Sequence, residues 1–265
     1  MAKECIRQII AGCCSLYRLR IMHRDMKLDN ILIHFPNRSS KRPVNLETVD
    51  LENEEFIVKI ADLGYAREFR NEVKGSTTPV EAAKGRAGGR AFSFKGSPLM
   101  MPAEQISTYW GRGSGYSHKI DVWAIGVIFY QMLTGMFIFN VTEKTSYQMA
   151  LKLLYAKIKE GIWTWPQDIK ITLQCFDFLC KTMHNDPLLR PSWTEMQQHA
   201  FFNSTDAEKI PFDIVFDQEP TEGLKFADGK IYVNTKDPTL YQRLHTAAID
   251  RFMEENEEGV NQDLE

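Results

Sequence analysis

The run His23-Arg24-Asp25-Met26-Lys27-Leu28-Asp29-Asn30 sets a carboxylate, an ammonium and an amide at fixed short spacing. The Asp25 carboxylate can orient a hydroxyl and accept its proton. The Lys27 ammonium, two residues on, can neutralise charge on a transferring phosphate. The Asn30 amide, at the far end, offers an oxygen to a divalent cation. A positioned base, a cation on the phosphate and oxygen ligands for Mg2+ are what phosphoryl transfer asks for. A second oxygen donor stands at Asp62-Leu63-Gly64, directly after the apolar run ending at Ile60. A carboxylate at a strand end, followed by glycine, suits a metal ligand on a flexible turn. The bland reading of the first run is a charged surface turn, and Asp-Leu-Gly by itself is common. Their order, with a helix before and strands between, favours chemistry.

Other runs carry structural signals. Gly96-Ser97-Pro98-Leu99-Met100-Met101-Pro102-Ala103-Glu104 closes a long loop, Asp121-Val122-Trp123 opens an apolar helix, and Asp186-Pro187-Leu188-Leu189-Arg190 precedes a short one. Glu104 and Arg190 suit a buried bidentate pair, whose breaking on one side would cost about 3–5 kcal/mol. Asp121 can accept backbone N–H bonds and so brace the loop at His23 and Arg24. The glycine-rich stretch 85–90 lacks a strand before it and reads as flexible loop, not as a phosphate cradle. His34, His118, His184, His199 and His245 show no metal-ligand spacing and read as surface or satisfied core histidines.

Several elements must hold these groups in place. Apolar residues at Ile6, Ile10, Cys13 and Tyr17 predict a helix over 2–19 that starts with no capping residue ahead of it. Two short β-type runs, 31–33 and 56–60, flank a polar insertion at 36–55. Residues 66–100 form a long loop rich in small and cationic residues. The stretch from Ile120 to Leu133 is apolar all round and predicts a central buried helix. Further helices fit 145–159, 172–183 and 192–200. Asp228-Gly229 between apolar pairs predicts a hairpin, and Asp237-Pro238 starts a helix to about Glu254. The acidic residues 254–265 predict a disordered tail. The division is 1–202 as the main domain, 203–253 as an extension and 254–265 as tail.

Hydrophobic content of 43% and charged content of 25% are those of an ordinary globular protein. A formal net charge of −3 argues against nucleic acid or a membrane surface as the principal partner. No apolar run is long enough to span a bilayer. The five cysteines form no CxxC pair and read as reduced thiols of a cytoplasmic, or else nuclear, protein.

In this order, the five runs resemble a protein kinase from its helix E to its helix I, over roughly residues 1–202. The resemblance implies a protein-kinase-like α+β fold, of which this chain is the mainly α-helical C-lobe with short β-strand pairs and no N-lobe. It implies a Ser/Thr kinase, because Lys27 matches Ser/Thr-specific members, with ATP and Mg2+ as cofactors and Ser/Thr-bearing proteins as substrates. The insertion before Val58 is most similar to the ULK-type kinases that initiate autophagy, with calcium-dependent kinases the alternative. Carried over, Asp25 is the catalytic base, Lys27 contacts the phosphate, and Asn30 and Asp62 hold the metal. Leu32 floors the adenine pocket, and Ser97 hydrogen-bonds the catalytic loop. Ser93 is the activating phosphosite, with Thr77 and Thr78 less well placed, and Leu99 and Met100 form a pocket for an apolar residue after the target hydroxyl.

The pattern also departs from the family. Pro102-Ala103-Glu104 swaps the usual Ala-Pro order, and Leu63 replaces the usual Phe. No G-x-G-x-x-G precedes a strand, and no lysine–glutamate pair of an N-lobe is present. The expectation is therefore an active kinase's fragment that is inactive alone, with a non-catalytic scaffold module as the other reading. The face at 31–33 should stand open to solvent, and the extension should meet a regulatory partner.

Overall fold

The computed structural model describes residues 1–69, 90–203 and 224–246, apart from 39–43, 46–47, 51–52, 114, 140, 142–145, 167–168, 170, 228–229, 235, 238, 241 and 245. Helix α1 (Ala2–Arg18) buries Cys5, Ile6, Ile9, Ile10, Cys13 and Cys14 on one face, as three- and four-residue spacing dictates. It has no side-chain cap at its start, and the chain leaves it through Arg20 in the left-handed region (φ 61°). Strand β1 (Ile21–Met22) follows, then a 3-10 turn at Leu28–Asn30, β2 (Ile31–His34), β3 (Ile57–Ile60), a second 3-10 turn at Leu63–Tyr65 and β4 (Arg67–Glu68). β2 and β3 pair antiparallel with Ile31 opposite Ile60, and β1 pairs β4 with Met22 opposite Arg67. Gln8 of α1 ties the β3 end by accepting from the Val58 N–H (2.8 Å) and donating to the Phe56 carbonyl (3.3 Å).

The second half is helical: α2 (Ala103–Ser107), α3 (Lys119–Thr134), α4 (Tyr147–Glu160), α5 (Leu173–Thr182), α6 (Trp193–Gln197) and α7 (Ala200–Asn203). α3 buries every residue from Ile120 to Tyr130 and packs between α1 and α5, so it is the axis of the core. It stops at Gly135, whose φ of 69° few other residues tolerate. Ser146 and Thr172 cap α4 and α5, and Ser192 with Glu195 makes a capping box on α6. All five cysteines are free thiols, and burial pushes the Cys175 and Cys180 thiols up from their ordinary range.

The extension behaves differently from an appendage. β6 (Leu224–Ala227) and β7 (Lys230–Asn234) form the expected hairpin, but β7 also pairs antiparallel with β5 (Ile162–Pro166), giving a sheet ordered β5–β7–β6. Trp163 stands opposite Val233 and Trp165 opposite Ile231, all four buried. Leu224, Ile231, Val233, Leu240 and Leu244 belong to the same core as α3. The reason is the alternation in β5 and β7: paired side by side, the two strands merge their apolar residues into one face, which the core around α3 covers. Asp237 accepts from the Thr239 N–H (2.9 Å) at the start of the next helical turn and also pairs with Arg243. Arg243 and Thr239 hold its carboxyl at about 2. Residues 228–229, Pro238, residues 70–89 of the 66–100 loop with Thr77 and Thr78, and the acidic tail lie outside the described residues. No described helix is long and apolar enough to cross a membrane.

Candidate active site

The loop between β1 and β2 is held from beneath by Asp121, in the first turn of α3. Its carboxylate accepts from the backbone N–H groups of His23 (2.8 Å) and Arg24 (2.9 Å). Burial pushes the Asp121 carboxyl up from its usual range, while the Arg24 and His23 N–H donors pull against that shift. His23, fully buried, links both ends of the site: one ring nitrogen meets the Ala61 carbonyl (3.0 Å), and the other accepts from the Asp25 N–H (3.3 Å). A carbonyl can only accept, so Nε2 is the donor in the contact with Ala61.

Around Asp25 the predicted groups come together. Its carboxylate is 4% exposed. Ser97 donates to Oδ1 (2.9 Å), while the Lys27 ammonium (3.2 Å) and the Asn30 amide nitrogen (3.3 Å) stand at Oδ2. Asn30 also donates to the Asp25 carbonyl (2.8 Å), and Lys27 reaches the Ser97 hydroxyl (3.3 Å). Spending its amide nitrogen on Asp25 leaves the Asn30 oxygen as the end available to a ligand. The Ala61 N–H donates to the Asn30 carbonyl (2.9 Å), which carries the β2–β3 ladder one step on and brings Asp62 to the same end of the sheet. Asp62 itself is exposed and left-handed (φ 61°), and its carboxylate accepts from the Gly64 N–H (3.1 Å). An amide oxygen and a carboxylate fit a hard, oxygen-seeking cation such as Mg2+.

Gly96 explains how Ser97 arrives there. Its φ is 107°, and a Cβ at this position would stand 2.3 Å from the Arg24 carbonyl oxygen. Only glycine lets the two loops approach this closely. Arg24, also left-handed (φ 69°), donates to the Tyr65 carbonyl (2.6 Å), the Ser93 hydroxyl (2.9 Å) and the Tyr116 hydroxyl (3.3 Å). Tyr116 in turn donates to the Ser93 carbonyl (2.6 Å). The part played by Tyr116 had no signal in the sequence, because its neighbours match no motif.

Farther out, Arg190 donates to both Glu104 oxygens (2.6 and 3.1 Å), with the Arg190 side chain fully buried. Leu32 is 53% exposed on β2, and Ile33 and Ile57 beside it are exposed too. Leu99 is half-buried, whereas Met100 is 5% exposed and packs in the main core. Of the two, only Leu99 has surface to offer a substrate.

The family model described as the protein kinase domain matches residues 1–202. A probable serine/threonine-protein kinase of Zea mays, CCRP1, is 26% identical over 204 residues, 77% of this chain and 25% of that protein. The cell cycle serine/threonine-protein kinase CDC5/MSD2 of Saccharomyces cerevisiae is 24% identical over 230 residues, 87% of this chain and 26% of its own length. The serine/threonine-protein kinase ULK1 of Homo sapiens is 28% identical over 201 residues, 76% of this chain and 16% of that protein. The chain spans about a quarter or less of the length of these relatives. With the family model covering most of the chain, this chain belongs to the protein kinase family.

Proposed function

We propose that this chain is the helical, phosphoryl-transferring lobe of a Ser/Thr kinase that moves the γ-phosphate of ATP to Ser or Thr hydroxyls of proteins. The observation that supports this reading best is the buried Asp25 carboxylate, held by Ser97, Lys27 and Asn30. A base fixed this way needs little reorganisation when substrate arrives. The substrate oxygen bonds to the γ-phosphorus as the bond from phosphorus to the β–γ bridging oxygen breaks, ADP leaves, and the hydroxyl proton passes to Asp25. Lys27, beside Asp25, would meet charge on the phosphate. Asn30 and Asp62 would hold Mg2+, which when bound offsets the phosphate charge. Leu32, exposed on β2, would lie under the adenine. The free thiols favour the cytoplasm or nucleus.

Residues 1–265 contain no glycine-rich clamp and no N-lobe lysine. In this reading the 265 residues by themselves should turn over no peptide measurably. Ser93 is the regulatory site in this reading: a phosphate there adds about −1.5 to −2 charge, facing an Arg24 guanidinium that already contacts the hydroxyl.

The test joins the chain to a kinase N-lobe and measures Mg-ATP-dependent peptide phosphorylation. Asp25→Asn should lower kcat by roughly 10²–10⁴, and Ser93→Ala should abolish the gain from activation. Normal rates in Asp25→Asn would sink the catalytic assignment. An inactive joined enzyme with intact nucleotide binding would favour the scaffold reading.

A further inference from the structure

Strand register divides the β5–β7–β6 sheet into two faces. Trp163, Val233 and Leu224 point into the core, so Ile162, Thr164, Tyr232, Asn234, Lys225 and Lys230 share the other face. That outer face opens on a cleft of about 900 Å³, walled also by the turn after α3 and the end of α4. Met136 and Phe137 of the turn and Ile162 of the sheet are each 38–39% exposed, an apolar strip that the described residues leave bare. Lys225 and Lys230 are exposed and have no hydrogen-bond or ion-pair partner among the described residues. Lys157 adds a third cation, against Glu160 as the one carboxylate among the described lining residues.

The chain itself carries the complement. Phe252-Met253 is followed at once by Glu254, Glu255, Glu257 and Glu258, and residues 252–265 hold no lysine or arginine. An apolar pair beside a run of carboxylates matches, with opposite charge, the apolar strip and the lysines of the cleft. Reach is sufficient as well. Asn234 lines the cleft, and Leu240 and Leu244 pack into the same core as Leu224 and Val233, so the chain stays close as far as Thr246. Glu258 lies as many residues beyond Thr246 as Asn234 lies before it, and either stretch spans at most about 40 Å. The acidic run can therefore fold back to the cleft.

We propose that residues 252–258 of this same chain dock on the outer face of the sheet. Phe252 and Met253 lie against Met136, Phe137 and Ile162, and the glutamates lie along Lys225 and Lys230. Apolar area supplies attraction, and charge complementarity sets the register. Exposed ion pairs contribute little one by one. Tethering makes them effective, because a short linker holds the run near the face at an effective concentration of about millimolar. Docking of this kind covers the apolar strip, clasps the hairpin to the turn after α3 and loosens as salt rises.

The test treats the full 265-residue chain with a water-soluble carbodiimide, which joins a lysine amine to a carboxylate touching it with loss of water. Ordinary and isotope-labelled chains are mixed in equal parts, and the joined peptides are read by mass spectrometry. Crosslinks from Lys225 or Lys230 to Glu254–Glu258, with both ends carrying the same label, are the expected result. Mixed-label crosslinks would give the face to a second copy of the chain and overturn the proposal. Crosslinks confined to carboxylates outside 254–258, or none from these two lysines, would overturn it too. A glutamate-specific protease gives a second readout. Cleavage after Glu254–Glu258 should be slow at low salt and quicken in the parent at high salt. It should also quicken at least about threefold in Lys225→Gln/Lys230→Gln, whose exposed substitutions leave the fold intact. Equal cleavage rates in parent and variant would sink the idea.

Discussion

Arg190 spends its guanidinium on four acceptors: both Glu104 oxygens, the His184 carbonyl (2.8 Å) and the Lys119 carbonyl (3.0 Å), with the Trp123 ring 5.0 Å away. Lys119 answers by donating to the Arg190 and Pro191 carbonyls. Glu104→Gln keeps the shape but leaves the arginine charge buried without a counter-ion. Urea unfolding should show a loss of about 3 kcal/mol, the low end of what one-sided breaking of a buried pair costs, since two carbonyl acceptors remain. A loss below about 1 kcal/mol would show that this pair is not what fixes α2 to the loop before α6. Residue types and spacing made this pair, Asp25, Asn30 and the Asp121 brace legible in advance, because each needs a specific partner chemistry. Gly96 and Tyr116 were not legible in the same way. Their importance lies in a 2.3 Å approach to the Arg24 carbonyl and a hydroxyl delivered to Ser93, both of which exist only after folding.

Among elements, the long helices were readable from periodicity, and α3 from its unbroken apolar run. Strand β5 was not. It begins at Ile162, with only Gly161 between it and α4, and alternates Trp163 and Trp165 over only five residues, too short a pattern to separate from a helix end. The pairing of β5 with a hairpin far along the chain is a tertiary fact that no local signal encodes. Contact between α3 and α5 offers a sharper test. Gly126 sits where a Cβ would stand 2.5 Å from Met183 Cγ and 2.6 Å from Thr182 Oγ1, and both neighbours are buried. Helix propensity alone predicts that Gly126→Ala stabilises α3 by about 1 kcal/mol. Overpacking costs about 1–3 kcal/mol, and with no free space beside Thr182 it should win. Net of the two, the variant should be less stable than the parent by up to about 2 kcal/mol and unfold at lower denaturant. A stabilised variant would mean the two helices can part without cost.

Taken as a whole, the molecule has an acid-sensitive seam. His118, just before α3, stacks on Phe69 (5.5 Å) just after β4 and tilts against Tyr17 of α1 (4.6 Å), so one ring joins the start of α3 to two other parts of the chain. Burial, then the neighbouring Lys119 charge, lowers its pKa to about 4. The unfolded chain takes up this proton near 6.5, before the fold does. Stability from this group is therefore complete above 6.5 and drains away as pH falls toward 4, by about 2–3 kcal/mol. His118→Phe keeps the stack and should flatten that limb of the Tm–pH curve. An identical acid limb in the variant would assign the effect to other groups. The sheet that joins residue 162 to residue 234 has a consequence for synthesis. Trp163 and Trp165 leave the ribosome long before Ile231 and Val233 arrive to cover them. Until then two large indoles and the apolar edge of β5 stand bare, and the lobe carries a temporary sticky surface. A ribosome that stalls between these two strands would release a chain most in need of a chaperone, even though every residue of the loop around Asp25 has already been made.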